Sequence, residues 1–330
     1  MAKAGKAPTM KDVAREAGVA LGTVSKVFNN LPVGESYRRK VEAAAERLGY
    51  RVNSYARGLR ADRTHTVALI LPRLDHPYFA RLAHCVNAAL SQRDYRMVVS
   101  ITHSDTRAEA HCVELVQQNM VDGVIGLTYS ADLEVDDDLA YVSLDRFISP
   151  NIPCVASDNF AGGRLAAEKL IGLGCRKLLY LRTGSSVPGE TDKRGAGFAA
   201  QCQSAGAAVD VKIFNHGDDC GPVFDYIDAR VQADGFGYDG IFCCADYLAC
   251  SVRRKLESLG RRVPEDVQLI GFDGTPRFDS SGEYLCSSIV QPVQQIAETA
   301  VRLLLDREPE EPAGLVCLPV TYAPGGTTRE

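Results

Sequence analysis

The stretch "MKDVAREAGVALGTVSKVFNN", Met10 to Asn30, contains two short helical patterns joined at one glycine. Thr9 is placed to cap a first helix in which Met10, Val13, Ala14 and Ala17 share one face at i, i+3, i+4 and i+7. Gly18 interrupts that pattern and supplies the backbone freedom of a tight turn. In the second helix Val24, Val27 and Phe28 point inward, which leaves Thr23, Ser25 and Lys26 facing out. A third stripe, Val41, Ala44, Ala45 and Leu48, closes a three-helix unit. So small a unit has little apolar surface to bury, and its purpose is expected to lie in what it touches. Two helices meeting at a sharp glycine turn, the second polar and cationic, form the helix-turn-helix arrangement whose second helix enters the DNA major groove.

Charge distribution points the same way. The chain of 330 residues has a net charge of −5, yet residues 1–62 carry 12 Lys/Arg against 6 Asp/Glu and the remainder 25 against 36. A basic head on an acidic body suits a head that meets a polyanion. Apolar content of 45% and charged content of 24% are those of an ordinary globular protein with two or three domains. No apolar run reaches the length of a membrane span, and no apolar stretch follows the basic "MAKAGKAPT" start, so a cytoplasmic location and no membrane partner are expected. Eleven cysteines, an odd number without CxxC pairs or zinc-site spacing, read as reduced, buried small side chains.

From Thr64 onward apolar β-type runs alternate with helical stretches, the signature of βαβ units and parallel sheets. "HTVALILP" (65–72), "RMVVSI" (96–101), "VDGVIGL" (121–127) and "LAYVSLD" (139–145) form one set of strands. "RKLLYLRT" (176–183), "VDVKIF" (209–214), "YDGIFCCAD" (238–246) and "VQLIGFD" (267–273) repeat it in the same order. Two similar open α/β lobes with a cleft between them follow from this periodicity. Ligands of such sheets bind outside the carboxyl ends of strands, where Asp145, Asp246 and Asp273 stand. Carboxylates aimed into one cleft suit a polyhydroxylated ligand, and Arg194 can supply complementary donors.

"KDVAREAGV…TVSKVFN", "RRKVEAAAERLGY" and "NSYARGLR", followed by "DHPYF" (75–79), "SDNFAGGRLAAEKLIGLG" (157–174), "RGAGF" (194–198) and "RRVPEDVQLIGFDG" (261–274), resemble the lactose/galactose repressor family of bacterial transcription regulators. The resemblance implies that Leu21, Gly22 and Lys26 face base edges, with Thr23, Ser25 and Asn29 near phosphates. It implies a hinge in which Leu59 wedges into the minor groove, Asn53 and Ala56 sharing one helical face. It also implies a periplasmic-binding-protein-like body in which Asp273, Arg194 and Asp158 contact a small effector. Phe79 is then a stacking face, and Asp246, Arg146 and Tyr78 are further contacts beside Asp145. The sequence departs from the family at Ala20 and Gly34, where serine is usual, at Tyr37 for threonine, at Val52 for proline and at Ala245 for asparagine. Alanine in place of a capping serine costs on the order of 1 kcal/mol.

Residues 1–50 are expected to form the DNA-binding head, 51–63 the hinge, and 64–330 the effector-binding and dimerisation body. Within the body the N-lobe spans about 64–158 plus 290–320, and the C-lobe about 159–289 plus the C-terminal segment. The expected partners are near-palindromic operator DNA, a sugar-like effector and a second copy of the chain; no cofactor or metal is expected. An enzyme is disfavoured: "GAGFAA" (195–200) fits G-x-G-x-x-A, but no strand precedes it, and no phosphate loop or nucleophile elbow is present. The weighed alternative is a sugar receptor whose head no longer regulates transcription.

Overall fold

The computed structural model describes residues 8–28, 31–50, 63–118, 120–130, 133–215, 219–277, 282–307 and 313–329. It divides into two units, Met1–Thr64 and His65–Glu330. In the first, Thr9 caps α1 (Met10–Ala17) reciprocally: its N–H donates to Asp12 Oδ2 at 2.9 Å and its Oγ1 accepts from the Asp12 N–H. Gly18, at φ 63°, ends the helix in the left-handed conformation that glycine adopts without a Cβ clash. Helix α2 (Leu21–Phe28) starts from the Ala20 carbonyl, which accepts from the Thr23 and Val24 N–H groups. Helix α3 (Glu35–Leu48) begins at Gly34 without a side-chain cap.

Val13, Ala14, Val24, Val27, Val41, Ala44 and Ala45 form the head's core, with Met10, Ala17, Phe28 and Leu48 packed against it. These are the stripes read from the sequence, extended by Tyr50, whose ring lies 5.4 Å from Phe28. Asn29, Asn53, Ala56 and Leu59 lie outside the described residues.

In the second unit, the N-lobe strands are β1 (Thr66–Leu71), β2 (Arg96–Ile101), β3 (Gly123–Gly126), β4 (Tyr141–Leu144) and β5 (Cys154–Ser157). Its helices are α4 (Pro77–Ser91), α5 (Thr106–Gln117) and α10 (Val293–Leu305), and β11 (Leu315–Leu318) completes a parallel sheet ordered β11-β5-β4-β3-β1-β2. The central strand shows why its sequence is apolar throughout. Val67, Leu69 and Leu71 pack beneath α4 and α10, while Ala68 and Ile70 face α5, so both faces of β1 are buried.

The C-lobe repeats the plan with α6 (Asn159–Gly172), β6 (Lys177–Thr183), α7 (Lys193–Ser204), β7 (Ala208–Phe214), α8 (Gly221–Asp234), β8 (Gly240–Cys243), α9 (Asp246–Ser258), β9 (Gln268–Asp273), β10 (Ser288–Val290) and β12 (Thr321–Ala323). The sheet order is β12-β10-β9-β8-β6-β7, with β12 antiparallel to β10. Tyr180, Phe198, Phe242 and Phe272 cluster at its centre, ring centroids 5.1–6.3 Å apart. Each sheet thus has six strands, whereas the sequence pattern marked four. The chain passes between lobes at 157–159, 290–293 and 318–321.

Candidate DNA-binding surface and ligand cleft

Helix α2 turns Val24 and Val27 into the core, which forces the opposite face outward. Leu21 is 37% exposed, Gly22 and Lys26 are exposed, and Thr23 and Ser25 are half-buried. The exposed ammonium in the last turn supplies a hydrogen-bond donor for a base edge or phosphate, and the exposed leucine in the first turn an apolar contact such as a thymine methyl accepts.

The body's cleft lies where topology places it. In each sheet the strand order reverses between the first and third strands, β1/β3 and β6/β8, and ligands bind outside the carboxyl ends at such points. Pro72 and Arg73 after β1, Tyr129 after β3, Asp145 after β4, Thr183 to Ser185 at the end of β6, Cys244 and Ala245 after β8, and Asp273 ending β9 line one cavity of about 400 Å³. Arg194 enters it from α7, Tyr78 and Phe79 from α4, and Gln291 from a crossover.

Arg194 is 5% exposed and fixed on several sides. Its Nε donates to Asn159 Oδ1 at 2.6 Å, its Nη1 donates to the Cys244 carbonyl at 2.6 Å, and its guanidinium stacks 3.6 Å from the Phe272 ring centre. Asp273 Oδ1 lies 3.9 Å from Arg194 Nη1 and accepts from Gln291 Nε2 at 2.8 Å. Burial pushes the Asp273 carboxyl above its ordinary range, with Arg194 opposing. Asp145, raised to about 6 by burial, hydrogen-bonds the Tyr78 side chain, and its Oδ1 has no partner among the described residues. A buried acceptor left open on the wall of a cavity is suited to a ligand hydroxyl. Phe79 packs on His76, ring centroids 4.8 Å apart, and offers an apolar face.

Of the expected contacts, Asp273, Arg194, Phe79, Tyr78 and Asp145 therefore meet in the cavity, and three do not. Asp158 is the N-cap of α6, its Oδ1 accepting from the Ala161 N–H at 2.9 Å. Asp246 is buried inside the C-lobe, where the Thr275 N–H and Ser288 Oγ both donate to it at 2.6 Å. Arg146 donates from Nη1 to the Ser130 carbonyl and does not line the cleft. Asp158 and Arg146 thus serve nearby backbone groups, and Asp246 serves one backbone N–H and a buried hydroxyl.

Sequence reasoning missed Arg182, Gln291 and Asn159. Arg182 Nη2 pairs with Asp192 Oδ1 at 2.8 Å on the cavity wall. The strand-end rule that singled out aspartates applies equally to this arginine. Gln291 precedes Pro292, a residue pair that disfavours helix, and that signal alone marked it as an extended crossover residue. Among the described residues no group of three metal-ligating side chains occurs, and no helix is long and apolar enough to cross a membrane.

Comparison with known proteins agrees with this layout. Residues 9–53 match bacterial regulatory proteins of the lacI family, and 167–328 match a periplasmic binding protein-like domain. The ribose operon repressor of Bacillus subtilis is 31% identical, covering 98% of this chain and 99% of its own length. The sucrose operon repressor of Streptococcus mutans is 30% identical, covering 90% of this chain and 92% of its own. Among solved structures, a complex of the transcriptional regulator CelR with cellobiose is 26% identical with a TM-score of 0.69, covering 97% of this chain and 99% of that one. Repressors that align with head and body together do not favour a receptor with a vestigial head. The chain belongs to the lactose/galactose repressor family, whose members are DNA-binding transcriptional regulators and not enzymes.

Proposed function

We propose that this chain is a cytoplasmic, homodimeric repressor of a carbohydrate-metabolism operon, controlled by a small sugar or sugar-like effector held between its lobes. In this reading residues 1–50 read a near-palindromic operator, 51–63 fold as a hinge with Leu59 as a minor-groove wedge, and 64–330 bind effector and dimerise. Leu21, Gly22 and Lys26 face base edges, and Thr23, Ser25 and Asn29 the phosphates. One head buries too little for tight specific binding, and a two-fold operator mirrors a two-fold protein.

The observation that carries the effector half is the meeting of Asp145, Asp273 and Arg194 in one cavity of about 400 Å³. Two carboxylates from different strand ends and a guanidinium from α7 match paired hydroxyls in charge and hydrogen bonding. The similarity to a cellobiose-bound regulator supports a carbohydrate. Effector in the cleft changes the lobe angle, which alters hinge folding on DNA; the coupling requires that effector bind one state better than the other.

The test is selection of bound sequences from genomic double-stranded DNA at ~150 mM salt, with and without a panel of sugars. Enrichment of one palindrome, abolished or created by one sugar, is the expected result. Absence of enrichment in every condition would remove the regulator reading.

A further inference from the structure

The eleven cysteines are all free thiols, and most are buried in the lobes, where they act as small core residues. One pair differs. Cys250 is half-buried on α9, one helical turn after Asp246, and its side chain shares a hydrogen bond with that of Cys286. Cys286 is 1% exposed, and its Sγ also lies 3.4 Å from Asp246 Oδ1. Arg253, Arg254 and Arg277 add positive charge around Cys250. An accessible thiol in an electropositive setting, touching a buried second thiol, is the arrangement of an attacking and a resolving cysteine.

We propose that Cys250 and Cys286 form a peroxide-reactive dithiol that closes to a disulfide inside the C-lobe. The Cys250 thiolate attacks a hydroperoxide oxygen and the O–O bond breaks. Cys250 becomes a sulfenic acid, and the departing oxygen takes a proton and leaves as water or an alcohol. Cys286 then gives its proton to the adjacent Asp246 carboxylate, and its sulfur displaces hydroxide from the sulfenic acid. That hydroxide leaves as water after protonation. Two thiols are oxidised by two electrons, and the hydroperoxide is reduced by the same two.

The hydrogen bond to Cys286 and the surrounding arginines lower the Cys250 thiol, whereas burial raises that of Cys317, so the thiolate is favoured at the accessible Cys250. Closure also has a route to the ligand cleft. Asp246 holds the Thr275 N–H and Ser288 Oγ, and Ser288 Oγ in turn accepts from the Gly274 N–H at 3.0 Å. Drawing Cys286 towards Cys250 removes one donor from the carboxylate that fixes the turn directly after Asp273. This inference rests on the body alone and not on the identity of the effector.

Full-length reduced protein is treated with hydrogen peroxide, digested without reductant and mapped by mass spectrometry. A Cys250–Cys286 cross-linked peptide lacking two hydrogens, reversed by dithiothreitol, is expected. It should form roughly tenfold or more faster than Cys317 is oxidised. In Cys286→Ser a dimedone adduct at Cys250 replaces the cross-link. Oxidation of Cys250 no faster than Cys317 in the wild-type chain would overturn the proposal, as would persistent sulfenic acid at Cys250 without linkage to Cys286.

Discussion

Asp145 and Asp273 adopt φ angles of 54° and 121°, a region in which a side chain other than glycine costs about 1–3 kcal/mol. Surrounding bonds hold them there: the Glu190 N–H donates to the Asp145 carbonyl at 3.0 Å, and Gln291 grips the Asp273 carboxylate. Both carboxyls are raised by burial, Asp145 to about 6. A carboxyl raised in the folded state keeps its proton longer there than in the unfolded chain. Its contribution is therefore fully present below the ordinary value of about 4 and is lost as pH rises through the folded value. The body is thus expected to lose stability from this source as pH climbs from about 4 towards 7. Asp273→Asn removes one of the titrating groups. Each kcal/mol moves the melting temperature of a domain this size by about 2–4 °C. The fall in Tm between pH 5 and pH 8, followed by calorimetry, should flatten by several degrees in the variant. An unchanged slope would place the pH dependence elsewhere. The two aspartates were legible because strand ends are legible; Asp246 met the same pattern but spends its oxygens on the Thr275 N–H and the Ser288 hydroxyl, and Asp158, expected from the family resemblance, caps α6. Sequence spacing marks where a carboxylate stands and not what reaches it first.

Helices α6 and α7 pack backbone to backbone, and glycine permits it. A Cβ on Gly163 would sit 2.0 Å from the Arg194 carbonyl oxygen, and one on Gly197 would sit 2.1 Å from that of Phe160. The "GAGF" pattern that resembles a dinucleotide fingerprint is thus a helix-packing motif, and the approach it allows brings Arg194 within reach of Asn159 at the start of α6. Gly163→Ala should destabilise the body by about 1–3 kcal/mol through overpacking, measured by urea denaturation, and displace Arg194 enough to weaken effector binding. Wild-type stability would mean that the helices separate without cost. The long buried strands and their partner helices were legible as apolar runs between turn signals. Strands β10 and β12 were not, having three residues each, and β11, a four-residue apolar run, was left unassigned. The head was read most completely because its helices carry stripes at a single period, with Val19, Val33 and Tyr50 the packed residues left out.

Three crossovers join the lobes, and a buried polar chain ties them to the ligand site. Ser157 Oγ donates to Gln291 Oε1 at 2.7 Å, Gln291 donates to Asp273, and the Asp158 N–H donates to the Leu318 carbonyl at 2.7 Å. The first and second crossovers are thus bonded to one another and to a cleft carboxylate, while the third is bonded to the first. Gln291→Ala is expected to reduce the effector's influence on operator affinity several-fold more than it reduces effector affinity itself, read as the ratio of operator Kd with and without bound sugar. An unaltered ratio would show that lobe closure does not travel through this residue. The same braided connectivity governs how the molecule is made. Strand β5 ends at Ser157, but the strand that covers its edge begins at Leu315, and the helix that roofs the N-lobe begins at Val293. During synthesis at about 5–20 residues per second, that edge waits roughly 10–30 s while all of the C-lobe but β12 is made. The head, with its own core, needs nothing downstream. Each nascent chain therefore passes through an interval in which a folded head exists as a single copy ahead of the lobes, and a prematurely terminated chain would remain in that condition.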